Sequence, residues 1–281
     1  MPPSLPCSKA GARAHHGIAF MHALLSVLAG VALAACTASE ASEPASVTTY
    51  GAPVAMGKGT ARAYVVHAKG APAEIGVALS EAAFSGLPAD GAAGGAQMPD
   101  GHHMYMYTLQ MPDQHSTPYR FVGLDWSPAG HVPSGIYDKP HFDFHFNSIS
   151  EAERNAIVPS DPEFEAKAER RPAPDLAPPG YQKLPGGVPL MGAHWVDPTS
   201  PELNGKPFTR TFLYGSWDGQ MIFAEPMITK AFLETRPDVR APIPTPARYA
   251  ATGHYPTEYR VYWNEATREY RVALTGLIER S

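Results

Sequence analysis

Proline and glycine set the first limit on what this chain can form: 30 prolines and 25 glycines are spread through 281 residues. A proline inside a helix removes a backbone hydrogen bond and clashes with the preceding turn. Spacing this dense therefore leaves little room for long helices. Between the prolines and glycines lie short runs of aromatic and β-branched residues, the composition of strands rather than of disordered chain. The pattern predicts a mainly β fold, a single β-sandwich or barrel-like domain with a few short helices.

Local signals place the elements. Residues 60–68 and 73–79 read as two strands around the turn Lys69-Gly70-Ala71-Pro72, with one helical turn at 80–84. Residues 103–111, 119–126 and 140–146 follow as further strands, separated by glycine- and proline-rich loops. Short helices are expected at 150–157 and 162–170, the second charged nearly all round and so facing solvent, before an irregular crossing at 172–190. The clearest hairpin is 212–225, where Asp218-Gly219 calls for a type I′ turn. Residues 226–235 have helical character, with Pro226 in a first-turn position. A last hairpin joins 258–263 to 270–277.

The N-terminus has the layout of a secretory leader. Lys9 and Arg13 precede an apolar run that ends in Leu33-Ala34-Ala35-Cys36, and no acidic residue occurs before Glu40. This ending resembles the lipobox of bacterial lipoproteins. It implies cleavage of residues 1–35, lipid on Cys36, and anchoring in the cell envelope, with the outer membrane facing the periplasm the favoured address. Residues 36–58 read as a flexible tether and residues 59–281 as the single folded domain. Removal of the leader moves the net charge from −5 to −7, a poor balance for nucleic-acid binding. The expected partner is the membrane; a homo-oligomer is also compatible with the sequence. Only Cys7 and Cys36 are present, so a processed chain has no thiol for catalysis, disulfides or zinc.

Chemistry must then come from histidine and carboxylate. The densest constellation is Pro140-His141-Phe142-Asp143-Phe144-His145-Phe146. On a strand the three phenylalanines share one face, and His141, Asp143 and His145 the other. Same-face neighbours stand about 7 Å apart, so one ion on a regular strand takes Asp143 with His141 or with His145, not both histidines. A regular strand therefore needs ligands from elsewhere. His194, in Met191-Gly192-Ala193-His194-Trp195, is the first candidate, and Glu225, beside Pro226, the second. These N and O donors suit zinc or another divalent metal. The competing reading is a histidine–carboxylate network that stabilises a β core.

Other histidines carry less. His102-His103-Met104 has the composition of a soft copper site or of a plain strand edge. His131, between Gly130 and Pro133, either caps a turn or lines the same cavity as His141, and His67, His115 and His254 look incidental. Nucleophile elbows, phosphate loops and dinucleotide fingerprints do not occur.

The stretches PHFDFHF (140–146), MGAHWVDPTSPE (191–202) and YGSWDGQMIFAEPMIT (214–229) resemble signatures of an uncharacterised family of exported bacterial proteins, sigma-E-regulated and of unknown function. The resemblance runs from about residue 59 to 277. It implies one domain and points to His141, Asp143, His145, His194 and Glu225, but implies no activity. The strand is also similar to the zinc strand of α-carbonic anhydrases, with Asp143 in place of a middle histidine and no matching third histidine strand. The order of His141, His145 and His194 is similar to that of cupins, whose glutamate would have to be supplied by Glu151 or Glu225. Three functions follow as expectations: an envelope lipoprotein binding a divalent metal or small ligand, a hydrolytic or cupin-like metalloenzyme, or a metal-free structural protein of the envelope.

Overall fold

The sequence-based expectation of alternating strands and tight turns is met by a sandwich of antiparallel sheets. The computed structural model describes residues 46–113 and 115–281, so the expected leader and Cys36 lie outside the described residues. Strands β1 (Val47–Tyr50), β2 (Val54–Met56), β3 (Gly59–Ala68) and β4 (Ala71–Ser80) open the domain. They are followed by β5 (Ala96–Gln97), β6 (His103–Gln110), β7 (Phe121–Ser127) and β8 (His141–Asn147). Two short helices, α1 (Glu151–Asn155) and α2 (Phe164–Glu169), precede β9 (Gln182–Lys183), β10 (Ala193–Val196), β11 (Arg210–Trp217) and β12 (Gln220–Thr229). After α3 (Lys230–Glu234) come β13 (Asp238–Pro242), β14 (Gly253–Tyr255), β15 (Glu258–Asn264), β16 (Glu269–Thr275) and β17 (Ile278–Arg280).

One sheet runs β1-β3-β4-β16-β15-β13, with β2 also on β3; the other runs β5-β6-β7-β8-β12-β11-β10-β9. β14 and β17 pair separately. The two large sheets face each other across one apolar layer and neither closes into a barrel. Val65, Ile75, Val77, Leu79, Val261, Val272 and Leu274 meet Val122, Leu124, Phe142, Phe144, Phe146, Phe212, Ala224 and Ile228 there. Period-2 alternation explains this membership: each of these strands sends every second side chain inward.

Turn chemistry sets the hairpins. Lys69 and Gly70 both have positive φ (53° and 80°), as do Asp218 and Gly219 (49° and 79°), the pair of left-handed residues that a two-residue hairpin of native twist requires. α1 starts with a capping box between Ser150 and Glu153.

Three expectations change. The segment expected as tether through residue 58 contains β1 and β2, which pair antiparallel with β3. Backbone hydrogen bonds to an exposed sheet edge order a segment that has no hydrophobic periodicity of its own. The helix at 162–170 is not solvent-facing all round, because Phe164 and Ala168 are buried, Phe164 against Trp217 with ring centroids 5.2 Å apart. Helix does not begin at Pro226: β12 continues to Thr229, whose side chain accepts from the Phe232 N–H and caps α3. Proline is tolerated inside this inner strand because pairing with β8 lapses there. Ala224 stands opposite Phe146, and pairing resumes at Met227 opposite Asp143.

Phe144 is fully buried at the centre of the sandwich and packs against Phe142 with ring centroids 6.2 Å apart. Phe144→Ala is expected to cost about 3–5 kcal/mol of unfolding free energy. Urea denaturation followed by tryptophan fluorescence measures this, and a loss below about 1 kcal/mol would mean that the two sheets are not closed over this ring.

Candidate metal-binding face

Strand β8 is buried on both faces. Phe142, Phe144 and Phe146 face the sandwich, while His141, Asp143 and His145, no more than 4 % exposed, face a second layer of covering loops. The neighbouring strands add to that face. Asp125 on β7 pairs with Asp143 in register, and Gly123 with His145, leaving room beside the imidazole. Glu225 lies at the lapse in pairing between β12 and β8, and its cross-strand partner on the other side is Leu213. His194 on β10 stands opposite Gly215 on β11.

The five residues expected from the sequence do not form one group. Together with His131 they divide into two, each with two histidines and one carboxylate: His131, His141 and Asp143, and His145, His194 and Glu225. Within each group one candidate ligand atom per residue lies within 4.8 Å of the others. His141 Nε2 is 3.1 Å from Asp143 Oδ1, and His131 Nε2 is 3.7 Å from Asp143 Oδ2. His145 Nε2 is 3.3 Å from Glu225 Oε1, and His194 Nε2 is 3.6 Å from Glu225 Oε2. Two donors bonded at about 2.0–2.1 Å to one tetrahedral ion stand about 3.3 Å apart. The histidine–carboxylate separations of 3.1–3.7 Å have that scale.

Tautomers follow from the other ring nitrogens. His141 Nδ1 donates to the Lys139 carbonyl at 2.6 Å, and His131 Nδ1 to the Val132 carbonyl at 2.7 Å. His145 Nδ1 stands 3.2 Å from Asp125 Oδ2. With Nδ1 carrying the hydrogen, Nε2 of a neutral ring presents a lone pair, and in all three cases it faces a carboxylate. Two such lone-pair-bearing atoms repel unless a proton or a metal cation lies between them. An imidazole held through Nδ1 by a carbonyl or carboxylate is the usual arrangement behind a metal-binding Nε2.

Burial sets the electrostatics. Glu225 is raised to about 8 by burial and by the nearby charges of Asp143 and Asp125, against the pull of His145. On His145 burial opposes the charged form, but Glu225 and Asp125 outweigh it and raise the ring to about 9. His131 behaves alike: burial works against its charge, Asp143 prevails, and it rises to about 9. Asp143 pays a desolvation cost but is held below its usual range by His141 and His131. Burial lowers His194 to about 3, with the charges of His145 and His131 adding to the effect, so it stays a neutral imidazole.

The face opens into a cavity of about 560 Å³, walled by Met98, Met104, Leu184, Val188, Met191 and Met227. His131, Asp143, His145, His194 and Glu225 all reach its surface, whereas His141 is fully enclosed. His102 and His103 lie on the same wall but pair elsewhere, His103 with Asp90 and His102 with Asp100. The His/Met copper reading therefore finds no common ligand point. His115 contacts Thr117 and His254 contacts Ser116, as incidental surface histidines do.

Asp125 was missed in the sequence, and His131 was left between a cap and a cavity role. Asp125 had a signal: within Gly123-Leu124-Asp125-Trp126-Ser127 it lies opposite in phase to the apolar residues.

Phe223 supports the second group from the side, its ring centroid 4.8 Å from His145 and 5.4 Å from His194. A Cβ on Gly215 would stand 2.0 Å from that ring. Gly215→Ala is expected to cost about 1–3 kcal/mol by overpacking and to displace both imidazoles. Thermal unfolding and the two histidine ring resonances check it; unchanged resonances would show that Phe223 does not position the pair.

A family model described as TTHB210-like, hypothetical protein TTHB210, matches residues 68–126, a stretch that includes Asp125 and no residue of either group. No curated protein and no solved structure matches the chain.

Proposed function

We propose that this domain binds divalent metal, zinc in the first instance, at both histidine–carboxylate groups, and that it does so in the cell envelope, anchored through lipid on Cys36. One observation carries the metal reading. Among the described residues, six buried side-chain polar atoms lack a hydrogen-bond partner, and four of them are His141 Nε2, Asp143 Oδ1, His145 Nε2 and Glu225 Oε2. A fifth is Asp125 Oδ1, on the carboxylate behind His145. Buried polar atoms are almost always satisfied, and leaving one unmade costs about 1–3 kcal/mol. Buried donors and acceptors that converge in two places from different strands, without well-directed hydrogen bonds, form the kind of ligand set that an ion would take. The same side chains also stand 3.1 Å (His141 Nε2 to Asp143 Oδ1) and 3.3 Å (His145 Nε2 to Glu225 Oε1) from each other, so in the absence of metal they share protons in two histidine–carboxylate pairs.

The donor set favours zinc or a neighbouring first-row ion over calcium or magnesium, which take oxygen ligands. Three protein ligands per ion leave a fourth position free in a tetrahedral site, an arrangement for accepting a ligand rather than for stapling a fold. Buried carboxylates and histidines are then neutralised by the cation instead of by protons.

Purified protein dialysed against zinc and analysed for metal is expected to hold about two ions per chain. His194→Ala and His141→Ala are each expected to lower the content by one ion; wild type without zinc, cobalt, manganese or iron would refute the reading. Asp125→Asn keeps the volume but weakens the contact behind His145, so its zinc affinity is expected to fall about 10–100-fold. Competition with a chromogenic chelator measures it, and an unchanged affinity would show that Asp125 does not support the site.

The anchoring part stands on Leu33-Ala34-Ala35-Cys36. Cys36→Ser is expected to abolish incorporation of labelled fatty acid and to shift the protein from the membrane pellet to the soluble fraction. Labelling of the variant at wild-type level would remove the anchor from the proposal.

A further inference from the structure

A second cavity, of about 520 Å³, opens where the loops before β7 and after β13 meet the β11–β12 hairpin. Its volume lies within the range of small-molecule sites. No histidine or carboxylate of the two groups lines it. Rings make up much of its wall: Tyr119, Tyr214, Phe223, Tyr249 and Tyr255. Their neighbours hold several of them in place. Tyr249 stacks on Tyr255 with centroids 3.6 Å apart, and Tyr119 stands edge-on to Phe146 at 6.0 Å. A wall of fixed rings favours a ligand that is itself a ring, which gains edge-to-face or offset contacts beyond its buried area.

Two polar groups of this wall stand without partners, one deep and one at the rim. Tyr119 is only 6 % exposed, and among the described residues its hydroxyl has no hydrogen-bond partner. Tyr214 and Tyr255 donate theirs to the carbonyls of Pro244 at 2.9 Å and Ala251 at 2.8 Å. Burial, with Tyr249 and Tyr255 close by, pushes Tyr119 up, so it keeps its hydrogen. Arg120 is exposed, and among the described residues its guanidinium makes no hydrogen bond or ion pair. Glu153 feels its charge but spends Oε2 on the N–H and the hydroxyl of Ser150. Nothing else in the wall offsets it. Among the described residues no aspartate or glutamate lines the cleft. His115 is pushed below its ordinary value by burial and by His67, and so stays neutral. Beyond the wall, Asp175 and Arg248 pair with each other at 2.9 Å, and Arg280 adds positive charge near Tyr249.

We infer that this cleft binds a hydroxylated aromatic carboxylate: its carboxylate on Arg120 at the rim, its ring among the tyrosines, and its ring oxygen accepting from the Tyr119 hydroxyl at the deep end. A guanidinium without a partner matches a carboxylate in fork geometry. A cationic ligand meets Arg120 with no acid to offset it, and a neutral ring leaves the guanidinium unused. An aliphatic acid forgoes the ring contacts. An aromatic acid with no ring oxygen leaves the buried Tyr119 hydroxyl unpaired, which is costly.

The test is calorimetric titration of the full-length protein in EDTA, which keeps metal from the two histidine–carboxylate groups. The probes are p-coumarate, cinnamate, heptanoate and cinnamylammonium. The wild type is expected to bind p-coumarate about 5-fold more tightly than cinnamate, one hydrogen bond's worth. Cinnamate is expected to bind about 3-fold more tightly than heptanoate through its ring contacts, and cinnamylammonium at least about 10-fold more weakly than cinnamate. Arg120→Gln is expected to lose at least about 10-fold in affinity for both aromatic acids. Tyr119→Phe removes a hydroxyl that bonds to nothing in the protein, so it is expected to unfold at the wild-type temperature and to bind p-coumarate and cinnamate alike. Absence of p-coumarate binding, cinnamylammonium as tight as cinnamate, or wild-type affinities in Arg120→Gln overturns the inference. A preference for p-coumarate that survives in Tyr119→Phe overturns it equally. None of these outcomes bears on the metal reading, which is measured separately by metal content.

Discussion

The organisation of this domain depends on one strand being buried on both sides. An antiparallel sheet ordinarily packs one face on a core and leaves the other to water. β8 does the first with three phenylalanines, yet its opposite face lies beneath a second layer of loops. Every ionisable group on that face has therefore lost its water, and each must find a partner or shift its protonation. The two groups, the Nδ1 contacts that orient their rings and the strong shifts at Glu225, His145 and His194 all follow from that placement.

The covering layer has its own packing. Met104, Ile157, Phe164, Met191, Ile222 and Phe223 form one apolar cluster, and Tyr137, Val196, Phe208, Leu213 and Met227 another. The ionisable groups are thus walled by hydrophobic side chains on both flanks. His194 and Phe223 reach the site because Gly215 between them has no side chain. Proline at 226 contributes in a similar way, since the lapse in pairing at Glu225 and Pro226 lies beside His145.

The alternation of PHFDFHF was readable because a strand has period two whatever surrounds it. The Asp218-Gly219 hairpin was equally readable, because a two-residue turn between twisted strands needs left-handed residues. The spacing along one strand also keeps its histidines apart: Asp143 stands in a group with His141, and His145 in the other. The division into two groups was not readable. It depends on which strands flank β8, and sequence spacing says nothing of the fact that residue 225 comes beside residue 145. β1 and the strand portion 226–229 were missed for the same reason: partners distant in sequence order them, and their own propensities do not. β2 instead pairs locally, with Met56 opposite Gly59 across a tight turn.

The amino-acid sequence by itself determined a mainly β domain with many turns, the inward and outward faces of its strongest strands, and a stock of candidate donors dominated by histidine and carboxylate, with only two cysteines. These are local consequences of side-chain period, turn chemistry and the scarcity of thiols. Tertiary structure alone decided that His131 stands with His141 and Asp143, that Asp125 lies behind His145, that the five expected residues fall into two groups, and that both reach one methionine-lined cavity. Those facts come from strand order and loop packing, where contacts between residues tens of positions apart are set by burial of the whole chain and not by any local segment.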